Sequence, residues 1–319
     1  MKPFSREPKS EWGEHPFLTR DGHPKSAGDL NGYFPHLARS FCLLKFPAMK
    51  KPLLTMAVVL FVGLTAAAQP VELAPGVLQL GAFQSPNITE SSGVIQSRRV
   101  RGAFWTHNDS GPAVLYAFTS DGTAMSEWSI EDLEVRDWED IAWRSGRIYI
   151  ADIGNNHGHP GDVYLVAEPN PRKSGSLRVL KRWKLEYPDN PFDAESFFIS
   201  HEHGYLIAKE SGNAHVYRFK LSGRTAGQLE KQCELKTDAP VTGAAITRDN
   251  RRLAVITDAG AYLFMLPRRV PVEGTLEPAL FVQLDLPGME GCAFTRDGLV
   301  VTSETGHILL FTDPLFRAR

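Results

Sequence analysis

The sequence predicts an all-β protein, a five-bladed β-propeller of four-stranded blades, on three observations. A hairpin phrase that opens on an acid or hydroxyl and closes on acid-x-Gly occurs five times, starting at residues 92, 139, 195, 242 and 290. Each copy is followed by a third run of strand character, and the first four copies by a fourth. The fourth strand missing from the last copy stands at the other end, in residues 76–83. Repeats of about 50 residues, each too small to bury its own faces, are stable when stacked around an axis and closed by a terminal strand. A six-bladed ring is the alternative, but residues 69–90 have room for one or two strands only. A β-sandwich would not repeat one acid-x-Gly phrase in every unit.

The hairpins justify themselves in chain order. The first is Ser92-Gly93-Val94-Ile95, a basic turn, then Ala103 to Gly111. The second is Asp137 to Ala142, a Ser145-Gly146 turn, then Ile148 to Asn156; the third is Glu195 to Ile199, a turn at His203-Gly204, then Tyr205 to Gly212. The fourth pairs Thr242–Ile246 with Leu253–Gly260 across Asp249-Asn250, and the fifth pairs Glu290–Phe294 with Leu299–Gly306 across Asp297-Gly298. Apolar runs of four to six residues punctuated by Gly, Asn and Asp are hairpin signals. Third strands are expected at 114–118, 163–166, 215–219, 261–266 and 307–311, and fourth strands at 126–130, 177–185, 229–235 and 280–286. Residues 155–162, rich in Gly and His, read as a long loop.

The front of the chain is different in kind. Residues 1–48 carry no sustained period and read as an unstructured or upstream-translated leader. Met49-Lys50-Lys51, the apolar run Leu53 to Leu64 and Ala66-Ala67-Ala68 form the three parts of a secretory signal peptide over residues 49–68. The apolar run is too short to span a bilayer. The mature protein is thus expected over 69–319 as a single propeller domain, secreted or periplasmic, with no membrane span. With 35 basic and 37 acidic residues among 319, the formal charge is -2, which gives no reason to expect a nucleic-acid polymer as partner. Of three cysteines, Cys42 falls in the leader, and Cys233 and Cys292 are expected on different strands of different blades, unpaired.

In a propeller the first strand of each blade lines the axis, and the start of strand one shares a mouth with the end of strand two. Two sets of residues are therefore expected there. The first is Ser92, Glu139, Glu195, Thr242 and Glu290. Three carboxylates aimed at one axis repel unless they share protons or hold a cation. Carboxylates with hydroxyl and carbonyl oxygens are the hard donors that Ca²⁺ takes, and the absence of His and Cys argues against Zn²⁺ or copper. An axial Ca²⁺ is the expectation, against a channel of merely solvated acids. The second set is Asp109, Asp152, Glu210, Asp258 and Glu304, either turn residues or a functional acidic rim. Extra polar residues gather in the first three blades: His107, Arg136, Asp137, Asp140, Asn155, Asn156, His157, Asp193 and Lys209. Trp105, Trp138 and Trp143 read as blade packing.

The order hydroxyl, acid, acid, hydroxyl, acid in the first set, with the phrases Glu195-Ser196 and Met289-Glu290-Gly291, resembles the axial calcium ring of five-bladed calcium-activated nucleotidase (apyrase) propellers. Thr106-His107-Asn108-Asp109-Ser110-Gly111 and Asp137-Trp138-Glu139-Asp140-Ile141-Ala142 are similar to phrases of uncharacterised bacterial secreted propellers, some grouped more distantly with phytase-like ones. The likeness covers most of residues 90–311 as blade phrases and implies the fold and the metal. Only the ring matches position by position, so no nucleotide-binding residue carries over.

Two functions follow. In one, the protein is a Ca²⁺-dependent hydrolase of phosphate esters or anhydrides, with Asp109 or Asp152 as general base and Lys209, Arg136 and His107 on phosphate oxygens. In the other, the calcium is structural and the acidic face binds a small molecule, glycan or protein without chemistry. A monomer is expected in both.

Overall fold

A computed structural model describes residues 69–155, 158–210, 212–222 and 226–318, and they form five sheets around one axis. The leader and signal peptide assigned to residues 1–68 lie outside the described residues, as do Asn156 and His157. The chain enters through β1 (Val71–Ala74) and β2 (Val77–Ala82). Blade one is β3 (Ser91–Gln96), β4 (Ala103–Asn108), β5 (Val114–Thr119) and β6 (Ala124–Ile130). Blade two is β7 (Trp138–Arg144), β8 (Arg147–Asp152) and β9 (Asp162–Ala167), then a short β10 (Gly175–Leu177) and the outer β11 (Lys181–Glu186). Blade three follows the same plan with β12 (Ala194–Ser200), β13 (His203–Ala208), β14 (Gly212–Lys220), the short β15 (Ala226–Gln228) and β16 (Glu230–Thr237). Blade four holds β17 (Gly243–Ile246), β18 (Arg252–Thr257), β19 (Gly260–Met265), the short β20 (Thr275–Leu276) and β21 (Leu280–Gln283). Blade five supplies β22 (Met289–Phe294), β23 (Leu299–Ser303) and β24 (His307–Phe311).

Ring closure is as the sequence predicts. Strand β2 pairs antiparallel with β24 and completes the last sheet in the order β1-β2-β24-β23-β22. Two features differ from expectation. The run 177–185 is two strands: β10 leaves blade two to lie parallel on the outer strand of blade one, and β15 and β20 do the same for blades two and three. An outer edge offers unpaired N–H and C=O groups, and the connection to the next blade covers them. The turn of the third hairpin falls at His201-Glu202, where His201 takes a φ of 53°, and His203 begins the returning strand.

The core is five wedges between neighbouring blades. Between blades two and three, for example, Tyr149, Trp183, Phe197 and Phe219 interlock. Trp105 and Trp138 are fully buried in the wedge between blades one and two, which makes them packing residues. Cys233 and Cys292 are buried and unpaired, on an outer and an inner strand as expected. The sole helix among the described residues is a 3-10 turn at Pro314–Phe316, and none is long and apolar enough to cross a membrane.

Candidate functional site

Ser92, Glu139, Glu195, Thr242 and Glu290 occupy equivalent places at the head of the innermost strands, and none is more than 8% exposed. Local backbone geometry puts them there. In blades one, two, three and five the ladder between the first two strands shifts register at the ring residue: between Ser91 and Val94, Trp138 and Asp140, Ala194 and Ser196, and Met289 and Cys292. A bulge inserts one residue against its partner strand and re-aims a side chain. Alternation would send Glu139 to the opposite face from Trp138 in a regular strand; the bulge gives both Glu139 and Asp140 places toward the axis while Trp138 stays in the wedge.

The two hydroxyls of the ring tie blades together. Ser92 Oγ donates to the main-chain oxygen of Glu139 at 2.8 Å, and Thr242 Oγ1 donates to that of Met289 at 2.5 Å. The three carboxylates are not neutralised in this way. Burial, then the charges of Glu195, Asp137 and Glu290, push the Glu139 carboxyl well above the usual range. Glu290 is raised to about 10 by burial and by Glu195 and Glu304, and Glu195 to about 7 by burial, against the pull of Lys209. Glu195 Oε1 is paired with the Lys209 ammonium, and its Oε2 is buried without a partner. Gly154 lies against Glu139 and Asp137 so closely that an added Cβ would fall 2.2 Å from Glu139 Oε1 and 2.3 Å from Asp137 Cγ. Only glycine leaves room for both acids there.

Beneath the ring the axis narrows. The next residues are Gly93, Asp140, Ser196, Gly243 and Gly291, and a Cβ on Gly243 would stand 1.7 Å from the carbonyl oxygen of Glu290. Glycine lets the inner backbones meet, and Asp140 takes the space that remains. Its Oδ1 accepts the N–H of Ile141 at 2.7 Å and its Oδ2 that of Phe197 at 2.8 Å, with the Ala244 N–H a third donor. This wholly buried side chain binds blade two to blades three and four.

The second predicted set does not form one ring. The structural equivalents at the end of strand two are the residues whose N–H meets the carbonyl two positions before the ring residue: Asp109 on Glu90 in blade one, Lys209 on Asp193 in blade three and Glu304 on Gly288 in blade five. In blade two that bond comes from Gly154, on Asp137. Asp152 lies two residues earlier, and Glu210 one later. The acid-x-Gly phrases are spaced alike along the chain, yet the bulge and the turn place their acids differently. Asp258 Oδ1 accepts the Gly288 N–H at 2.8 Å, a contact toward blade five, and Glu210 Oε2 accepts His215 Nδ1 at 2.7 Å within its own turn.

The remaining predicted residues are placed as follows. Asp152 is buried, its Oδ2 accepts Arg136 Nε at 3.0 Å and its Oδ1 the Asp137 N–H at 3.0 Å; burial raises its carboxyl in spite of Arg136. Arg136 also reaches Asp162 at 2.6 Å, which Arg182 holds from the other side, so Arg136 is engaged within blade two rather than free for a phosphate. His107 is fully buried, edge-on to Trp138 at 5.6 Å, with Nδ1 on the Asn108 carbonyl at 3.0 Å; burial lowers it to about 4, a neutral brace that does not reach the mouth. Asp109 is half-buried and raised to about 6, first by burial and then by its hydrogen bond with Glu90. Sequence reasoning missed Glu90 and the floor role of Asp140. It also missed that Asp137-x-Glu139 and Asp193-x-Glu195 are one phrase in the same phase of two adjacent blades, a signal present in the sequence.

Among the described residues no three His, Cys, Asp or Glu side chains stand as a ready-made metal cluster. What the ring offers is buried, mutually repelling carboxylate, one orphaned oxygen, and hydroxyl and carbonyl oxygens beside them. That donor chemistry fits a hard cation.

No family model matches the chain, and no curated protein does. Solved structures do. A luciferin-regenerating enzyme aligns over 79% of this chain and 98% of its own, at 12% identity and a TM-score of 0.46. A gluconolactonase of Xanthomonas campestris aligns over 75% and 80% at 14% identity and a TM-score of 0.39, and the Dos1 propeller over 71% and 60% at 11% and 0.37.

Proposed function

We propose that this chain is an extracytoplasmic, monomeric, cation-binding propeller, with Ca²⁺ the cation its donors favour and an acidic mouth as its ligand site. The observation that carries the reading is the ring itself: Glu139, Glu195 and Glu290 are buried together, all three carboxyls are held above their usual range, and Glu195 Oε2 has no partner. The resemblance to the nucleotidase ring supports the metal, and the signal-peptide pattern of residues 49–68 supports the location. Glu139, Glu195 and Glu290, with the oxygens of Ser92 and Thr242, would hold the ion. When bound it supplies positive charge on the axis, which offsets carboxylate repulsion and any charge on a ligand.

The chain's own residues bind and orient the ligand, a small molecule, glycan or protein. Glu90, Asp109, Asp193 and Glu304 surround the mouth, and Lys209 is the cation among them. A hydrolytic role, on phosphate esters or anhydrides, draws on one observation: Asp109 is half-buried beside Glu90 with a carboxyl near 6, suited to taking and returning a proton near neutral pH. Asp152 is less suited, being held by Arg136 and the Asp137 N–H.

Titration calorimetry with Ca²⁺ tests the reading. Heat of binding is expected for the wild type and its loss in Glu139→Gln and Glu290→Gln; a wild type that neither binds Ca²⁺ nor gains melting temperature from it would remove the axial ion. Phosphate release from nucleotides and phytate, compared between wild type and Asp109→Asn with Ca²⁺ or chelator, decides the hydrolytic role. Absence of turnover under every condition leaves the binding role.

A further inference from the structure

Lys209 stands where blades one and five carry a carboxylate and blade two carries Gly154. The equivalent residues of blades one and five are Asp109 and Glu304, each making the same main-chain bond toward its inner strand that Lys209 makes to Asp193, at 2.9 Å. A cation at this position meets the buried Glu195 directly. Its ammonium pairs with Glu195 Oε1 and also feels Asp193 and Glu290 across the mouth. The other oxygen of Glu195, on a side chain only 10% exposed, has no partner. One ammonium thus serves a ring of three carboxylates and leaves it undercompensated.

The two ends of this contact differ in freedom. Glu195 is fixed by the bulge of blade three, whereas the Lys209 side chain is 38% exposed and carries its charge on four methylenes. A divalent cation on Glu195 would repel an ammonium on the same carboxylate, and the lysine can move to water without disturbing the core.

We propose that Lys209 is a tethered counter-ion of the axial ring, displaced from Glu195 by an incoming divalent cation and then presented at the mouth to an anionic group of the ligand. This rests on the cation-binding reading above. Cation and anion then bind with positive coupling, because each favours the state in which Lys209 has left Glu195, and the coupling is reciprocal. The ligand class is accordingly one bearing a phosphate-, sulfate- or carboxylate-like group, in spite of the acidity around it.

The test is calorimetry on wild type, Lys209→Met and Lys209→Gln, with Ca²⁺ alone and with methylphosphonate in the absence and presence of Ca²⁺; circular dichroism checks that the variants are folded. Both substitutions should tighten Ca²⁺ at least about fivefold, since the competitor is gone, an effect of about 1 kcal/mol. In the wild type Ca²⁺ should strengthen methylphosphonate binding, and the variants should lose that dependence. Equal or weaker Ca²⁺ affinity in both variants overturns the displacement while leaving the axial cation standing. Tighter Ca²⁺ with unchanged anion coupling overturns the presentation of Lys209 to the ligand. A wild type and variants that all fail to bind Ca²⁺ overturn the inference together with the reading beneath it.

Discussion

Blade two holds two acidic groups a few residues apart, and they are built in opposite ways. On its outer side Asp152 and Asp162 are buried, and every charge has an answer: Arg136 lies on both carboxylates, Arg182 on Asp162, and Tyr164 directs its hydroxyl at the pair. At the axis Glu139 faces Glu195 and Glu290 with Ser92 Oγ beside it at 3.4 Å, and no guanidinium among the described residues pairs with it. The first group is finished by the chain itself. The second has only Lys209 on Glu195 to offset its charges, and under the proposed cation-binding reading it is this lack of compensation, rather than the acid or its burial, that marks a ligand-seeking site.

Substitutions put the contrast to the test. The largest effect is expected at Asp140, an axial acid whose two oxygens both accept main-chain N–H groups, although burial still raises its carboxyl well above the usual range. Asp140→Ala leaves the N–H groups of Ile141, Phe197 and Ala244 facing a void and should cost on the order of 3 to 5 kcal/mol in urea unfolding, with or without Ca²⁺. Asp162→Ala, which leaves two half-exposed arginines that water can reach, should cost about 2 kcal/mol in the same measurement. Glu290→Gln should behave oppositely: without cation it removes the cost of burying a carboxyl that must stay protonated, so the melting temperature holds or rises, while the gain on adding Ca²⁺ disappears. A fall comparable to that of Asp162→Ala would erase the distinction between the two groups.

Dependence on pH sharpens it further. Glu195 and Glu290 have folded values of about 7 and about 10, above those of an unfolded glutamate. The folded state therefore binds more protons than the unfolded chain above the ordinary carboxylate range, and stability is full below that range and lost as pH rises through the folded values. Between pH 5 and pH 8 the cation-free protein should lose melting temperature, and saturating Ca²⁺ or Glu290→Gln should flatten the slope. As the smallest effect, Lys236→Ala, which removes an exposed pair with Glu277, should change stability by less than about 0.5 kcal/mol.

Much of this site is legible one blade at a time. Repetition locates Ser92, Glu139, Glu195, Thr242 and Glu290, because each opens a short apolar strand at the same phase. The acid-x-Gly phrases mislead for a physical reason: turns and ring residues are spaced alike in the chain, but a bulge changes which residue of the returning strand meets the mouth. Lys209, expected on a ligand's phosphate oxygens, is paired with Glu195 on the preceding strand.

Local period, turn residues and repetition are enough to define the all-β class, the five blades, the closure by residues 76–83 and the five equivalent positions at the axis. Tertiary structure decided which acids are answered. Arg136 on Asp152 and Asp162, Asp140 under the N–H groups of two other blades, and Lys209 on Glu195 depend on bulges and on blades meeting across the axis. Charge compensation acts through space over a few ångströms, and spacing along the chain does not encode that distance.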